Sequence, residues 1–286
     1  MKSVLITGCT PGGIGYALAK EYQAKGLRVF ATARQQRVLT ELTALCPGVE
    51  TLATRSARDA VASITGGTLD ILVNNAGQGH YGVPCTDLDM EEVKRVYEVN
   101  VFGVMRVVQE FAPLLIASGN GKIVNIGSVV GMIPLPFNSS AYNSSKAALH
   151  AYGNTLRLEL APFNVQVTTV ITGGVHTNMI ISAATSPTPL KPSSIYTPIK
   201  HLITNQLSPE AAAKTMMSPE VYATYVVRQT LKRTVRAWLW YGTYSWFVWL
   251  VDTFFIGRTG FDRLCRSQSG LSELEARLGH GKGKQL

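Results

Sequence analysis

Short β-branched runs alternate with longer segments of helical period from the first residues to about residue 180, and few architectures accommodate that alternation. Val4–Thr7, Arg28–Ala33, Glu50–Thr54, Asp70–Asn74, Lys122–Ile126 and Val165–Ile171 read as strands. Ile14–Lys25, Arg37–Leu45, Arg58–Thr65, Glu91–Ile116 and Ser144–Ala161 read as helices. Runs such as ILVN and KIVNI are apolar on both faces of the pleat, as strands covered by helices on each side must be. Strands joined in sequence through helices run parallel, so the expected fold is α/β with a doubly wound parallel sheet.

Composition fits one large packed domain: 286 residues, 46% apolar and 16% charged, which excludes a disordered chain. Cys9, Cys46, Cys85 and Cys265 lie far apart with no CxxC pair, and His80, His150, His176, His201 and His280 are scattered. Neither a disulfide framework nor a metal site is expected. The opening MKSVLITG lacks the long apolar stretch of a secretory signal, and an intracellular, reducing compartment is the expectation. The net charge of +9 is uneven: 17 Lys and Arg face 14 Asp and Glu in residues 1–225, but 10 face 4 in 226–286. A nucleic-acid binder would build its basic face into the folded domain, so no nucleic-acid partner is expected.

TGCTPGGIG, Thr7 to Gly15, follows a strand and opens a helix. In that setting Gly8, Gly13, Ile14 and Gly15 suit a Rossmann-type phosphate loop, because glycines let the backbone approach a pyrophosphate and the helix start points N–H groups at the anion. A site for NAD usually carries an acid at the end of the second strand, whereas a 2′-phosphate needs a cation. VFATAR has no acid there and ends in Arg34, with Arg37 one turn on, which favours NADP(H) as cofactor.

Tyr142 and Lys146 are four residues apart, so on a helix they share one face. An ammonium beside a phenol can stabilise the phenolate and make proton exchange workable near neutral pH. Ser128, at the end of a strand, can hold a reacting oxygen near both. NNAG (Asn74 to Gly77), NVFG (Asn100 to Gly103), IGS ending at Ser128 and YNSSK (Tyr142 to Lys146) occur in that order. Together with the glycine loop they resemble the short-chain dehydrogenase/reductase family. That resemblance implies Tyr142 as proton donor in carbonyl reduction, Lys146 and Ser128 as its partners, and Asn100 as holder of a water that resupplies protons. It also implies cofactor contacts at Asn74, Ala76, Gly77, Asn100, Tyr142 and Lys146. In ITGGVHTN the backbone of Val175 and the hydroxyl of Thr177 would face the carboxamide of the nicotinamide, with Thr172 where the family has proline. By the same analogy the chain pairs with its own copies through the long helices.

The chain departs from the family pattern between Arg34 and Asn74, where only about 40 residues must supply two helices and two strands. The family's Asp-containing adenine-side segment is missing, with Asp59 as a weak substitute, and one sheet face is expected to be partly uncovered. Residues 182–220, rich in proline, read as a substrate-covering excursion. The expected division is a catalytic domain over 1–225, with the excursion at about 180–225, and a basic, aromatic extension over 226–286. Ala237 to Ile256 holds all four tryptophans and nine aromatics in 20 residues, flanked by arginines and lysines. Such a stretch suits a helix in the headgroup zone, so peripheral membrane contact through 237–256 is expected. With this extension the chain resembles a fungal branch similar to 1-acyldihydroxyacetone-phosphate reductases, which also includes secondary-metabolite enzymes. The branch implies an NADPH-linked oxidoreductase for an apolar ketone or alcohol, a lipid or a terpenoid or polyketide, at the cytosolic face of endoplasmic reticulum or lipid droplets. An idle cofactor-binding scaffold, an oxidative alcohol dehydrogenase and a cytoplasmic location are the alternatives.

Overall fold

The computed structural model describes residues 1–33, 35–53, 57–79, 83–137, 140–185, 190–205 and 215–254. Strands β1 (Ser3–Thr7), β2 (Arg28–Ala33), β3 (Glu50–Ala53), β4 (Ile71–Asn74), β5 (Lys122–Ile126), β6 (Gln166–Thr172) and β7 (Trp238–Tyr241) form one sheet in the order β3-β2-β1-β4-β5-β6-β7. All six pairings are parallel. The order reverses beside β1, between the first two halves of the wind, and the C-terminal strand ends there open onto a crevice suited to ligands.

Alternation along each strand assigns its side chains to two layers. Val4, Ile6, Val73 and Val124 face helices α1 (Ile14–Ala24), α2 (Gln36–Leu45) and α9 (Pro219–Thr230). Leu5, Leu72 and Ile123 face α3 (Ala57–Thr65), α5 (Gly103–Ala117) and α6 (Ser140–Leu160). Each such side chain is removed from water on folding and contributes roughly 1.5–3 kcal/mol of transfer free energy. α4 (Met90–Tyr97) runs through a π-helical turn, Glu98–Phe102, into α5. Met90–Ala117 is long and apolar enough to cross a membrane, but Val104, Val108, Phe111 and Leu115 bury it on the sheet as a core helix.

The abridged segment before Asn74 closes. α3 buries Ala57 and Val61 in the same layer as Phe30 and Leu72, so the short helix covers this part of the sheet face. The cleft runs on past Leu5, Ala57, Val104 and Phe111 of this layer. Asp59 does not reach into it as a cap: its carboxylate pairs with Arg58 at 2.7 Å and is 82% exposed.

A larger correction concerns the C-terminal region. The expected boundary at 225/226 falls inside α9, and the first part of the aromatic stretch is β7, hydrogen-bonded along β6 from Thr169↔Trp238 to Thr172↔Tyr241. A membrane-lying helix over 237–256 is therefore excluded for its strand half, whose Leu239 sits in the core. α9 is a core helix too: Ser218 caps its start, Tyr22 of α1 bonds Thr230 at 2.6 Å, and the buried Lys122 ammonium takes the carbonyls of Thr230 and Lys232 at its end. Those contacts fix Lys232 and Arg233 near the starts of β5 and β6, the opposite end of the sheet from α10 (Ser245–Phe254). Lys232 and Arg233 thus do not share a surface with the aromatic helix, and Arg258, Arg263 and Arg266, the basic residues expected after it, lie outside the described residues. Within the excursion, α7 (Asn178–Thr185) and α8 (Lys200–Asn205) are formed, and Ile199 and Ile203 pack with Phe137.

Candidate active site

The turn from β1 into α1 is built by glycine. Gly8 and Gly12 have φ of +74° and +77°, in the left-handed region that favours glycine. A Cβ on Gly8 would lie 2.7 Å from Ala76 Cα, and one on Gly15 would run into the Asn75 amide and the Gly8 carbonyl. Gly13, at the N-cap of α1, offers no side-chain oxygen to the first-turn N–H groups that begin at Ile14. The NNAG turn is tied to this loop by Thr7, whose hydroxyl accepts from the N–H of Asn75 and of Ala76 at 3.0 Å, and by Asn75, which donates to the carbonyls of Thr7 and Gly8 at 2.9 Å. Asn75 is a residue that sequence reasoning passed over, although it lies within the motif. Asn74 donates to Asn125 across the β4–β5 pair at 2.8 Å and lines the cleft together with Ala76 and Gly77. Arg34 lies outside the described residues; Arg37 is exposed in the first turn of α2.

At the C-terminal ends of β4, β5 and β6 a cleft of about 1640 Å³ brings together Gly8, Gly13, Ile14, Asn74, Ala76, Gly77, Ser128, Tyr142, Lys146, Val175 and Thr177. Ser128 closes β5 in an extended conformation, and its hydroxyl hydrogen-bonds the Tyr142 phenol. Lys146 stands one turn further along α6, its ammonium 5.5 Å from the centre of the Tyr142 ring and 2.8 Å from the Ile126 carbonyl. Burial governs both groups. It pushes the phenol up to about 12, with the bond to Ser128 drawing it partly back, and lowers the lysine to about 8. In the structure as it stands burial sets both shifts, and it favours the protonated phenol that a proton donor needs.

Asn100 is fully buried in the π-helical turn, where the extra residue re-aims its side chain. Its amide accepts from Gln78 N–H at 2.8 Å and donates to the Gln78 carbonyl and Ser145 hydroxyl, each at 2.9 Å. It braces α6 against the NNAG loop. On the far wall, Gly174 and His176 are bonded to Met217, so the N–H and C=O of Val175 between them point the other way, toward the cleft that it lines. Thr177 lines the cleft at the start of α7. Thr172 is explained by its partner: its hydroxyl bonds the buried Tyr222 phenol at 2.7 Å, a contact proline could not make. Among the described residues no cluster of His, Cys, Asp or Glu could hold a metal ion.

The profile of the short chain dehydrogenases matches residues 2–187. The chain belongs to the short-chain dehydrogenase/reductase family. A short-chain dehydrogenase of Pyricularia oryzae is 41% identical over 89% of this chain and 90% of its own length. An NADPH-dependent 1-acyldihydroxyacetone phosphate reductase of Schizosaccharomyces pombe is 44% identical over 73% of this chain and 72% of its own. Among solved structures, a short-chain dehydrogenase from Streptomyces avermitilis superposes with a TM-score of 0.72 at 24% identity, covering 100% of this chain and 98% of that one. An L-sorbose reductase from Gluconobacter frateurii, complexed with NADPH and L-sorbose, gives 0.67 at 26%, covering 83% and 93%. Members of the family are oxidoreductases that bind a nicotinamide cofactor. This short-chain dehydrogenase/reductase fits such a group, since the space that a Cβ would fill at Gly8 and Gly15 is kept open beside uncapped helix N–H groups.

Proposed function

We propose that this protein is an NADPH-linked reductase of a ketone on an apolar molecule, an acyl-dihydroxyacetone-phosphate-like lipid or a fungal secondary metabolite. The observation that carries it is the Ser128–Tyr142–Lys146 corner facing the glycine-built loop across one cleft. In the cleft, the N–H groups at the start of α1 would hold the pyrophosphate of the cofactor, and Val175 and Thr177 its carboxamide. The nicotinamide supplies the hydride when bound. Ser128 and Tyr142 hydrogen-bond the substrate oxygen, and the Tyr142 proton passes to that oxygen as the carbonyl carbon is reduced. Lys146 keeps the corner electropositive, and Asn100 fixes the helix that carries both.

The apolar substrate class is supported by the wall after Ser128, where Val129, Met132, Ile133 and Leu135 pack on Val248 of α10. Preference for NADPH is supported by the absence of an acid at the end of β2 and by the NADPH-dependent S. pombe relative. Membrane contact is part of the same reading, narrowed to α10 and its approach, where Tyr244, Trp246 and Phe254 are exposed. Self-association through α5 and α6 also belongs to it, and Leu158 of α6 is exposed.

Titrating the protein with NADPH and with NADH, then following NADPH oxidation against lipid and polyketide ketones, tests the reading. Tighter binding of NADPH and turnover of an apolar ketone are expected. Binding without turnover of any ketone in the panel overturns it. Flotation with anionic vesicles, and its loss in Trp246→Ser/Trp249→Ser, tests the membrane contact.

A further inference from the structure

α6 carries a third polar residue on the stripe of Tyr142 and Lys146: His150, one turn further on and buried. Its Nε2 accepts the main-chain N–H of Ser128 at 3.2 Å. An acceptor nitrogen holds no proton, so the ring is neutral with its hydrogen on Nδ1. Burial and the neighbouring Lys146 charge keep it that way by lowering its pKa to about 3. Nδ1 has no hydrogen-bond partner among the described residues, and the indole of Trp238 in β7 stands beside the ring, 5.9 Å away and edge to face. The chain leaves no other room: a Cβ on Gly127 would lie 2.5 Å from Nε2, and one on Gly131 2.6 Å from Cε1. Two glycines and a tryptophan therefore enclose an imidazole with a single polar contact, the backbone of the serine in the reacting corner.

We infer that His150 is the positioning residue for Ser128, an imidazole that sets the serine main chain in register with the helix face bearing Tyr142 and Lys146. Lys146 grips β5 at the Ile126 carbonyl and His150 grips it two residues later at the Ser128 N–H, so one helix stripe fixes both ends of the Ile126–Ser128 peptide run. The Ser128 hydroxyl is then held where it meets the phenol. The inference rests on the reductase reading for its kinetic consequence but not for its geometry.

Three measurements test it. In the wild-type protein at pH 7, side-chain nitrogen NMR should find His150 neutral and protonated on Nδ1; a proton on Nε2 overturns the inference whatever the protein reduces. His150→Leu, which fills the space without an acceptor, should lower kcat for ketone reduction by roughly ten- to hundredfold, the loss expected when a buried donor goes unmet beside the reacting groups, with KM and NADPH affinity little changed. His150→Gln, whose carbonyl can replace Nε2, should recover most of that kcat. A His150→Leu protein with wild-type kcat, or a folded His150→Gln protein as slow as the leucine variant, overturns it. Absence of turnover in the wild type itself would instead sink the reductase reading, leaving the NMR result to decide the clasp.

Discussion

The two walls of the cleft are made in opposite ways. The β1–α1 wall is made by side chains that are missing: Gly8 and Gly15 let the loop and the NNAG turn come together and Gly12 lets the loop meet Asn178, with positive φ at Gly8 and Gly12. The β5–α6 wall is made by side chains that are present and polar: Ser128, Lys146 and the half-buried Tyr142, with the buried His150 bonded to the Ser128 main chain. One wall fails when an atom is added, the other when an atom is removed or a proton moves.

Removing one oxygen should have the largest effect. Tyr142→Phe keeps the ring and is expected to lower reduction by roughly 10²–10⁴-fold, the range for losing a general acid, while calorimetry still finds NADPH bound. Adding one carbon comes next. Gly8→Ala places a Cβ 2.7 Å from Ala76 Cα at a φ of +74°. Strain of about 1–3 kcal/mol should weaken cofactor binding roughly 5- to 150-fold and lower Tm, with the polar wall intact. If Gly8→Ala lost turnover but bound NADPH normally, the contrast between the walls would fail.

Protonation probes the polar wall alone. Lys146 is lowered to about 8 in the fold from 10.5 outside it, so between those values the unfolded chain binds the extra proton and stability gained from this group rises with pH. Wild-type protein should therefore gain on Lys146→Met as pH goes from 8 to 10.5, read as a growing difference in Tm. Tyr142, raised to about 12 from 10, acts oppositely above pH 10, where the unfolded chain has given up a proton the fold retains. The smallest effect belongs behind the wall: Thr172→Val removes the hydroxyl bonded to Tyr222 and should cost about 1 kcal/mol, or roughly 2–4 °C in Tm.

The sequence displayed the glycine wall almost completely, because a glycine at a strand-to-helix turn has few other uses, and six strands lay within one or two residues of where they form. It also displayed Tyr142 and Lys146, whose spacing of four needs only a helix to become a shared face. β7 was hidden. WLWY is a four-residue strand with Leu239 inward and tryptophans on the other side, but its aromatic content overwhelmed that short alternation, and its place in the sheet depends on α9, which runs through the expected boundary. His150 was hidden for another reason: its partner is a main-chain N–H and its enclosure is two glycines distant in sequence, and neither leaves a pattern in residue types. Asn75 was missed because the motif alone does not say which of its two asparagines also braces the glycine loop.

The direction of β7 decides where the chain goes next. Because it runs alongside β6 rather than against it, α10 emerges at the same rim as Ser128 and Tyr142, with Tyr244 and Val248 bordering the opening. A reversed strand would have delivered that helix to the far end of the molecule. As built, the last described helix is a doorpost, and any change in its sequence or footing alters the entrance through which a bulky guest must pass.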